Sequence, residues 1–268
     1  MRSTCLLIPF LISIISCNNS GDYTLVSEDG IFVEQFDSSN HNENKFNENN
    51  IIYKPGTKFR YSFEYLTPED EKYYFKVHNQ EWEFVKAEET DIATIKYVTI
   101  KVENGNPMSK QIPDYNQTVL CYKLGIDTLS SISWSGVIEN EKNVWMHPPR
   151  DYLFSILELN PFPFIQAPYE IGNQWNWSLQ IGSQWGDKRW KTWRTGITNK
   201  YLYEIVDKKI IQTEIGELAC FVIDGRAKSE LGETRLTSYF NPEYGFVRLN
   251  YVNIDSSKIN FDLVKFED

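Results

Sequence analysis

The clearest pattern along the chain is alternation. In Phe59-Arg60-Tyr61-Ser62-Phe63-Glu64-Tyr65 every odd position is aromatic and every even position polar. That is the period of a β-strand with one buried face. The same period returns in Trp175-Asn176-Trp177-Ser178-Leu179-Gln180-Ile181 and in 201–206. It returns less cleanly in 92–102, where Ile95, Tyr97 and Thr99 oppose Lys96, Val98 and Ile100. Further strands are predicted over 73–77, 81–86, 119–124, 131–138, 188–195, 208–213, 219–224, 234–240, 246–252 and 259–266. Turn residues separate them: Pro55-Gly56, Asn104-Gly105, 183–187, Asn199-Lys200, Asp224-Gly225 and 255–257. Only 152–159 has helical spacing, and Pro161 ends it. No long βαβ alternation appears, which excludes a doubly wound fold. The expectation is an all-β protein, a curled antiparallel sheet or incomplete barrel with at most one short helix near 151–159. Curling or closing the sheet removes edges that would otherwise recruit other chains.

The first residues break this pattern. An apolar run from Cys5 to Ile15, interrupted by Pro9 and Ser13, follows Arg2 and precedes Ser16-Cys17. A basic residue, a short apolar run and a small residue make the tripartite form of a secretory signal. The run is too short for a spanning helix, which takes about 20 residues. Ile14-Ile15-Ser16-Cys17 resembles the lipobox of bacterial lipoproteins, with Ile15 standing where a small polar or alanyl residue is more usual. The resemblance implies that 1–17 is a signal ending at a lipidated Cys17. Its thiol would take a diacylglycerol and its freed amine a further acyl chain. It also implies a membrane as partner. Asn18 replaces the aspartate that retains lipoproteins in an inner membrane, so the expected address is the outer membrane, facing the periplasm. The alternatives are an ordinary signal peptide with Cys17 incidental, or a short buried helix.

Residues 18–50 hold eight Asn, seven acids and the single cation Lys45. They read as a polar tether before an antiparallel β domain over 51–268. Two apolar patches, 23–26 and 31–36, are either strands added to the domain edge or sticky spots in a disordered segment. Five prolines in 147–168 allow a division of the domain there; one continuous domain is expected.

Composition narrows the chemistry. Lys plus Arg is 27 and Asp plus Glu is 37, a net charge of −10, which argues against nucleic acid as a partner. One basic island, Lys188-Arg189-Trp190-Lys191-Thr192-Trp193-Arg194, interrupts the acidity. It would face anionic lipid, glycan or lipopolysaccharide, or simply balance acids on a solvated strand. Five tryptophans cluster here: Trp175, Trp177, Trp185, Trp190 and Trp193. They are the candidate ligand-binding residues, as platforms for sugar rings or the lining of a lipid cavity. The alternative is core packing with cross-strand aromatic pairs. Trp185, near a predicted hairpin tip, is the first choice for an exposed one.

His41, His78 and His147 lack metal-ligand spacing, and His147-Pro148-Pro149-Arg150 reads as a proline-rich surface turn. No metal site and no cofactor are expected. No catalytic residues are assigned, since Gly-x-Ser-x-Gly, His-Glu-x-x-His and phosphate-loop motifs are missing. Cys121 and Cys220 would pair as a disulfide in an oxidising compartment, or stay free as small buried hydrophobes.

The C-terminal part carries a resemblance. Ile215-Gly216-Glu217-Leu218-Ala219-Cys220-Phe221-Val222-Ile223 and Thr237-Ser238-Tyr239-Phe240-Asn241-Pro242-Glu243-Tyr244-Gly245-Phe246-Val247-Arg248 resemble motifs of TapB-like uncharacterised periplasmic β-sheet proteins. The resemblance covers 175–250. It implies a curled antiparallel half-barrel, similar to lipoprotein carriers and acceptors, with Gly216 and Gly245 in tight turns, and brings no catalytic residues. The functional expectation is a lipid-anchored envelope protein, a non-catalytic binding or assembly module for an acyl chain or glycan. The alternatives are a carboxylate-dependent glycan-cleaving enzyme, for which Glu81/Glu83 and Glu88/Glu89 are available pairs, and a structural subunit of an envelope complex.

Overall fold

A computed structural model describes residues 23–36, 50–79, 81–105, 117–125 and 131–268. The predicted signal and Cys17 lie outside the described residues, as does 37–49 of the predicted tether.

Among the described residues sixteen strands run β1 Tyr23–Glu28, β2 Ile31–Phe36, β3 Lys58–Leu66, β4 Lys72–His78, β5 Glu81–Lys86, β6 Tyr97–Val102, β7 Thr118–Leu124, β8 Ser131–Glu139, β9 Asn143–Met146, β10 Phe164–Gln166, β11 Gln174–Ile181, β12 Ile197–Thr213, β13 Gly216–Ser229, β14 Gly232–Asn241, β15 Gly245–Val252 and β16 Lys258–Glu267. Twelve of them form one antiparallel path, β10-β9-β8-β7-β6-β3-β16-β15-β14-β13-β12-β11, with the β4–β5 hairpin branching from β3. The path curls into an almost closed barrel whose seam, between β10 and β11, stays unzipped. The pairing of β16 with β3 joins the two ends of the chain, so the sheet runs unbroken through both sides of the proline-rich 147–168.

Alternation places the rings. Phe59, Tyr61, Phe63 and Tyr65 of β3 all point inward and are buried, as the sequence pattern predicts. The 3-10 helix Tyr152–Leu159 enters the barrel and fills it, with Leu153, Phe154, Ile156 and Leu157 at most 1% exposed. Phe154 packs with ring centroids 5.0 Å from Phe63, 5.5 Å from Phe75 and 5.4 Å from Phe261. Each such ring contributes roughly 1.5–3 kcal/mol by leaving water. Among the described residues the interior is therefore a packed core, with side chains where an acyl chain would have to lie.

The seam is fastened by side chains. Asn173 Nδ2 donates to the carbonyls of Gln166 and Pro168, each at 3.0 Å. The β1–β2 hairpin docks alongside. Its Phe32 N–H donates to Asn143 Oδ1 at 2.7 Å, and Gln166 Nε2 donates to Gly30 O at 2.6 Å. Ile31 and Val33 are buried against the barrel. The turn needs Gly30: its φ is +99° and an added Cβ would stand 2.3 Å from Asn176 O. Part of the predicted tether is thus a docked hairpin, the first of the two readings of its apolar patches.

Several local expectations are corrected. Residues 188–195 are turns with one isolated bridge, Asp187–Lys191, and not a strand. β6 starts only at Tyr97 and has the opposite facing: Val98, Ile100 and Val102 are inward, while Tyr97 and Ile92 are exposed. Asn199-Lys200 and Asp224-Gly225 are not turns but lie inside the long strands β12 and β13. Gly225 serves packing there, since a Cβ would meet the Tyr203 ring at 2.9 Å. A bulge at Ile205/Asp207 joins what read as two strands into β12.

Candidate functional site

A strongly cationic concavity lies on the outer face of β3, β6, β7 and β16, a groove of about 530 Å³. Cross-strand register builds it in two rows. One runs Lys265–Arg60–Thr99–Lys123 and the other Glu267–Lys58–Lys101–Cys121. Arg60 thus stands opposite Lys265, and Lys58 opposite Lys101. Like charges directly opposed across a sheet are destabilising, so this wall costs folding energy that an anion in the groove would return. Some relief is internal. Glu267 takes Lys58 at 3.0 Å and Lys265 at 2.5 Å, Glu103 takes Lys101 at 3.1 Å, and Arg60 lies over the Tyr97 ring at 4.1 Å. Among the described residues the groove lining holds five cations and the single acid Glu267, on a protein of charge −10. On the next strand, Trp134 and Ile132 pair with Cys121 and Lys123 and are exposed by 43% and 55%.

None of these cations was a candidate from the sequence. Each sits singly at a polar position of an alternating strand, 58 to 265 in the numbering, and only the strand order brings them together. The available signal was the outward parity of Lys58 and Arg60 in the cleanest strand.

The five candidate tryptophans do not form one surface. Trp175 and Trp177 are core residues, 5% and 6% exposed. Trp177 stacks on Tyr201, with centroids 4.6 Å apart, and its Nε1 donates to Tyr203 Oη at 3.1 Å. Trp185, Trp190 and Trp193 are half-buried around Leu159, Ile181 and Ile197 at the rim where β12 begins. Trp190 stacks on Trp82 at 6.2 Å. The basic island does not form a charged strand face. Arg189 pairs with Asp187 at 2.9 Å and covers the Trp82 ring at 4.1 Å.

Beneath Trp185 lies a buried polar cluster. The Arg150 guanidinium stands 5.3 Å from the Trp185 ring and 3.4 Å from Glu158 Oε1, which is also 3.4 Å from His147 Nε2. His147 is 8% exposed and not the surface residue its prolines suggested. Its Nδ1–H donates to Pro148 O at 2.7 Å, leaving Nε2 as the acceptor that faces Arg150. Burial, with Arg150 adding to it, lowers the His147 pKa from 6.5 to about 3. Burial raises Glu158 from 4.5 to about 7, with Arg150 pulling the other way. The imidazole is therefore neutral wherever the carboxylate is ionised, and the 3.4 Å contact is not an ion pair. Glu139, like Glu34 of the docked hairpin, is a further buried carboxyl. It accepts N–H bonds from Ile51, Ile52 and Tyr53 at 2.8–2.9 Å, and desolvation still raises its pKa. Neither Glu158 nor Glu139 lines the cationic groove, so neither is placed to meet a ligand bound there.

Among the described residues Cys121 and Cys220 are both free, the second of the two readings the sequence left open. Cys121 points outward into the groove, whereas Cys220 is fully buried on β13 with Sγ 3.6 Å from Leu218 O. Burial pushes the Cys220 pKa up to about 11. A second, smaller groove of about 360 Å³ lies at the opposite rim, where Lys200 faces Lys228 and Arg226 faces Arg235. Asp224 and Glu233 pair with Arg226 and Lys228 there, at 2.7 and 3.0 Å.

No protein-family model and no curated protein matches the chain. Solved structures do show similarity in shape. An inferred exported protein with a YmcC-like fold from Bacteroides fragilis aligns over 81% of this chain and 98% of its own, with 9% identity and a TM-score of 0.38. An inferred lipoprotein from Parabacteroides distasonis covers 81% of this chain and 97% of its own, with 12% identity and a TM-score of 0.42. The hypothetical lipoprotein YmcC from Escherichia coli covers 83% and 90%, with 9% identity and a TM-score of 0.31.

Proposed function

We propose that this is a lipid-anchored cell-envelope protein, tethered through Cys17 to the outer membrane and facing the periplasm, that binds phosphate-bearing envelope components without transforming them. The reading is carried by one observation: two like-charged cross-strand pairs, Arg60/Lys265 and Lys58/Lys101, walling one groove on an acidic protein. The packed interior favours recognition on the surface over carriage of an acyl chain inside, which revises the acyl-chain half of the sequence expectation. The lipobox-like Ile14-Ile15-Ser16-Cys17 supports the anchor.

Cys121 is a built-in reporter of the groove. Full-length protein in neutral detergent is alkylated with iodoacetamide and the Cys121 peptide followed by mass spectrometry. Dihexanoyl phosphatidylglycerol and inorganic phosphate, which present the same chemistry from lipid and free sources, are expected to slow modification, whereas dihexanoyl phosphatidylcholine does not. Lys58→Glu with Lys101→Glu should abolish the protection. Unchanged rates with every probe at millimolar concentration would remove the binding reading. Failure of labelled palmitate to attach to Cys17 in the native host would remove the anchor.

A further inference from the structure

We propose that the cationic groove face is the surface on which the barrel rests against the bilayer holding its own anchor, with anionic phospholipid headgroups as the occupant. This rests on the phosphate-binding reading and on Cys17 as the anchor. It adds which component is bound and how the barrel is oriented.

The first argument is reach. The hairpin is docked from Tyr23 onward, so six residue steps separate Cys17 from the first docked residue, a reach of at most about 22 Å. Tyr23 Oη donates to Glu141 Oε2 at 3.4 Å, which puts the chain entry at the turn between β8 and β9. Register identifies that rim. β8 ends at Glu139, β7 begins at Thr118, β6 ends at Val102, β3 begins at Lys58 and β16 ends at Glu267, and these ends follow one another around the sheet. The Lys58, Lys101 and Glu267 row therefore belongs to the rim nearest the anchor. The second groove, with Lys200 and Lys228, belongs to the far rim.

The second argument is composition. Trp134 stands exposed beside Cys121, in the same cross-strand row as Lys58 and Lys101, Ile132 is exposed further along the groove face beside Lys123, and Ile51, 72% exposed, lies on the near rim through its N–H bond to Glu139. Cations for headgroup phosphates, with a tryptophan and aliphatic side chains for the level just below, make the mixture that binds a membrane interface. A soluble anion would account for the cations alone. The near-rim cations are complementary to an anionic leaflet, whereas the second cationic groove lies on the rim away from the anchor.

The test uses full-length lipidated protein inserted into preformed vesicles, with Cys121 modification by a water-soluble maleimide as the readout. Cys220 is buried and the Cys17 thiol carries the lipid, so one thiol reports. Modification is expected to be about tenfold slower on phosphatidylglycerol/phosphatidylethanolamine vesicles than on phosphatidylcholine, and high salt should restore the rate. Lys58→Glu with Lys101→Glu should restore it too, and Trp134→Ser should do so in part. Lys200→Glu with Lys228→Glu, on the far rim, should leave the protection unchanged. Equal rates on both vesicle types overturn the proposal. If dihexanoyl phosphatidylglycerol still protects Cys121 in detergent, the binding reading survives that result; if it does not, both fall. Failure to float with vesicles of either composition overturns the proposal as well.

Discussion

Replacing Glu158 by Gln isolates a pH dependence that the wild-type protein conceals. Glu158 is 4% exposed and His147 8%, and they titrate in opposite senses. The folded pKa of Glu158, about 7, lies above its ordinary 4.5. Its contribution is fully present below pH 4.5 and is lost as pH rises to about 7, because the fold holds a proton that the unfolded chain has released. At 1.36 kcal/mol per pH unit that loss is about 3 kcal/mol. The folded pKa of His147, about 3, lies below its ordinary 6.5. Its contribution is present above pH 6.5 and is lost as pH falls towards 3. Between pH 4.5 and 6.5 the two slopes have equal size and opposite sign, so they cancel. Gln mimics the protonated carboxyl and cannot ionise. Relative to wild type, Glu158→Gln should therefore gain about 3 kcal/mol between pH 4.5 and 7. His147→Gln should lose about 3 kcal/mol relative to wild type as pH rises from 4.5 to 6.5, since the falling Glu158 slope is left alone. Urea unfolding at half-unit pH steps measures both, and the difference from wild type removes every other titrating group. Stability curves for Glu158→Gln that run parallel to wild type would refute the reasoning.

Glu139→Gln removes the carboxylate that three backbone N–H groups share and turns an amide donor towards one of them; a loss of about 2–3 kcal/mol in denaturant unfolding is expected, and a loss within error would show that water replaces the clamp. Gly245→Ala, at φ +72° with a Cβ 2.7 Å from Tyr53 Oη, should cost about 1–3 kcal/mol. Gly216→Ala, strained at φ +122° but in open space, should cost less, so equal losses would contradict the steric argument. Gly30→Ala should release the β1–β2 hairpin to limited proteolysis while the barrel's melting temperature stays nearly constant; unchanged protection of 23–36 would show that the Asn176 carbonyl yields.

How much of this was legible in the chain depended on whether information was local. The β3 rings could be placed from sequence because one strand with one buried face declares itself by parity alone. The hairpin turn at Thr213–Gly216 and the turn before Gly245 fell where the resemblance implied, at positive φ that glycine adopts without the steric cost of a Cβ. Parity failed for β6, where Thr99, Val98 and Ile100 have similar β propensity and only burial chose the inward set. The strand expected over 188–195 does not form, because Trp190 and Trp193 pack into the rim from turns without a ladder. Asp224-Gly225 looked like a turn, but the small residue was there to admit the Tyr203 ring from a neighbouring strand.

The sequence by itself determined the all-β class, the inward rings of its cleanest strands and the lipobox-like start, because each is written in adjacent residues. Tertiary structure alone decided that the barrel interior is filled, that 23–36 dock as a hairpin, that Cys121 and Cys220 stay apart, and that five scattered cations share one wall. Those facts depend on which strand lies beside which, and pairing between strands far apart in the chain follows from how the whole sheet buries its rings.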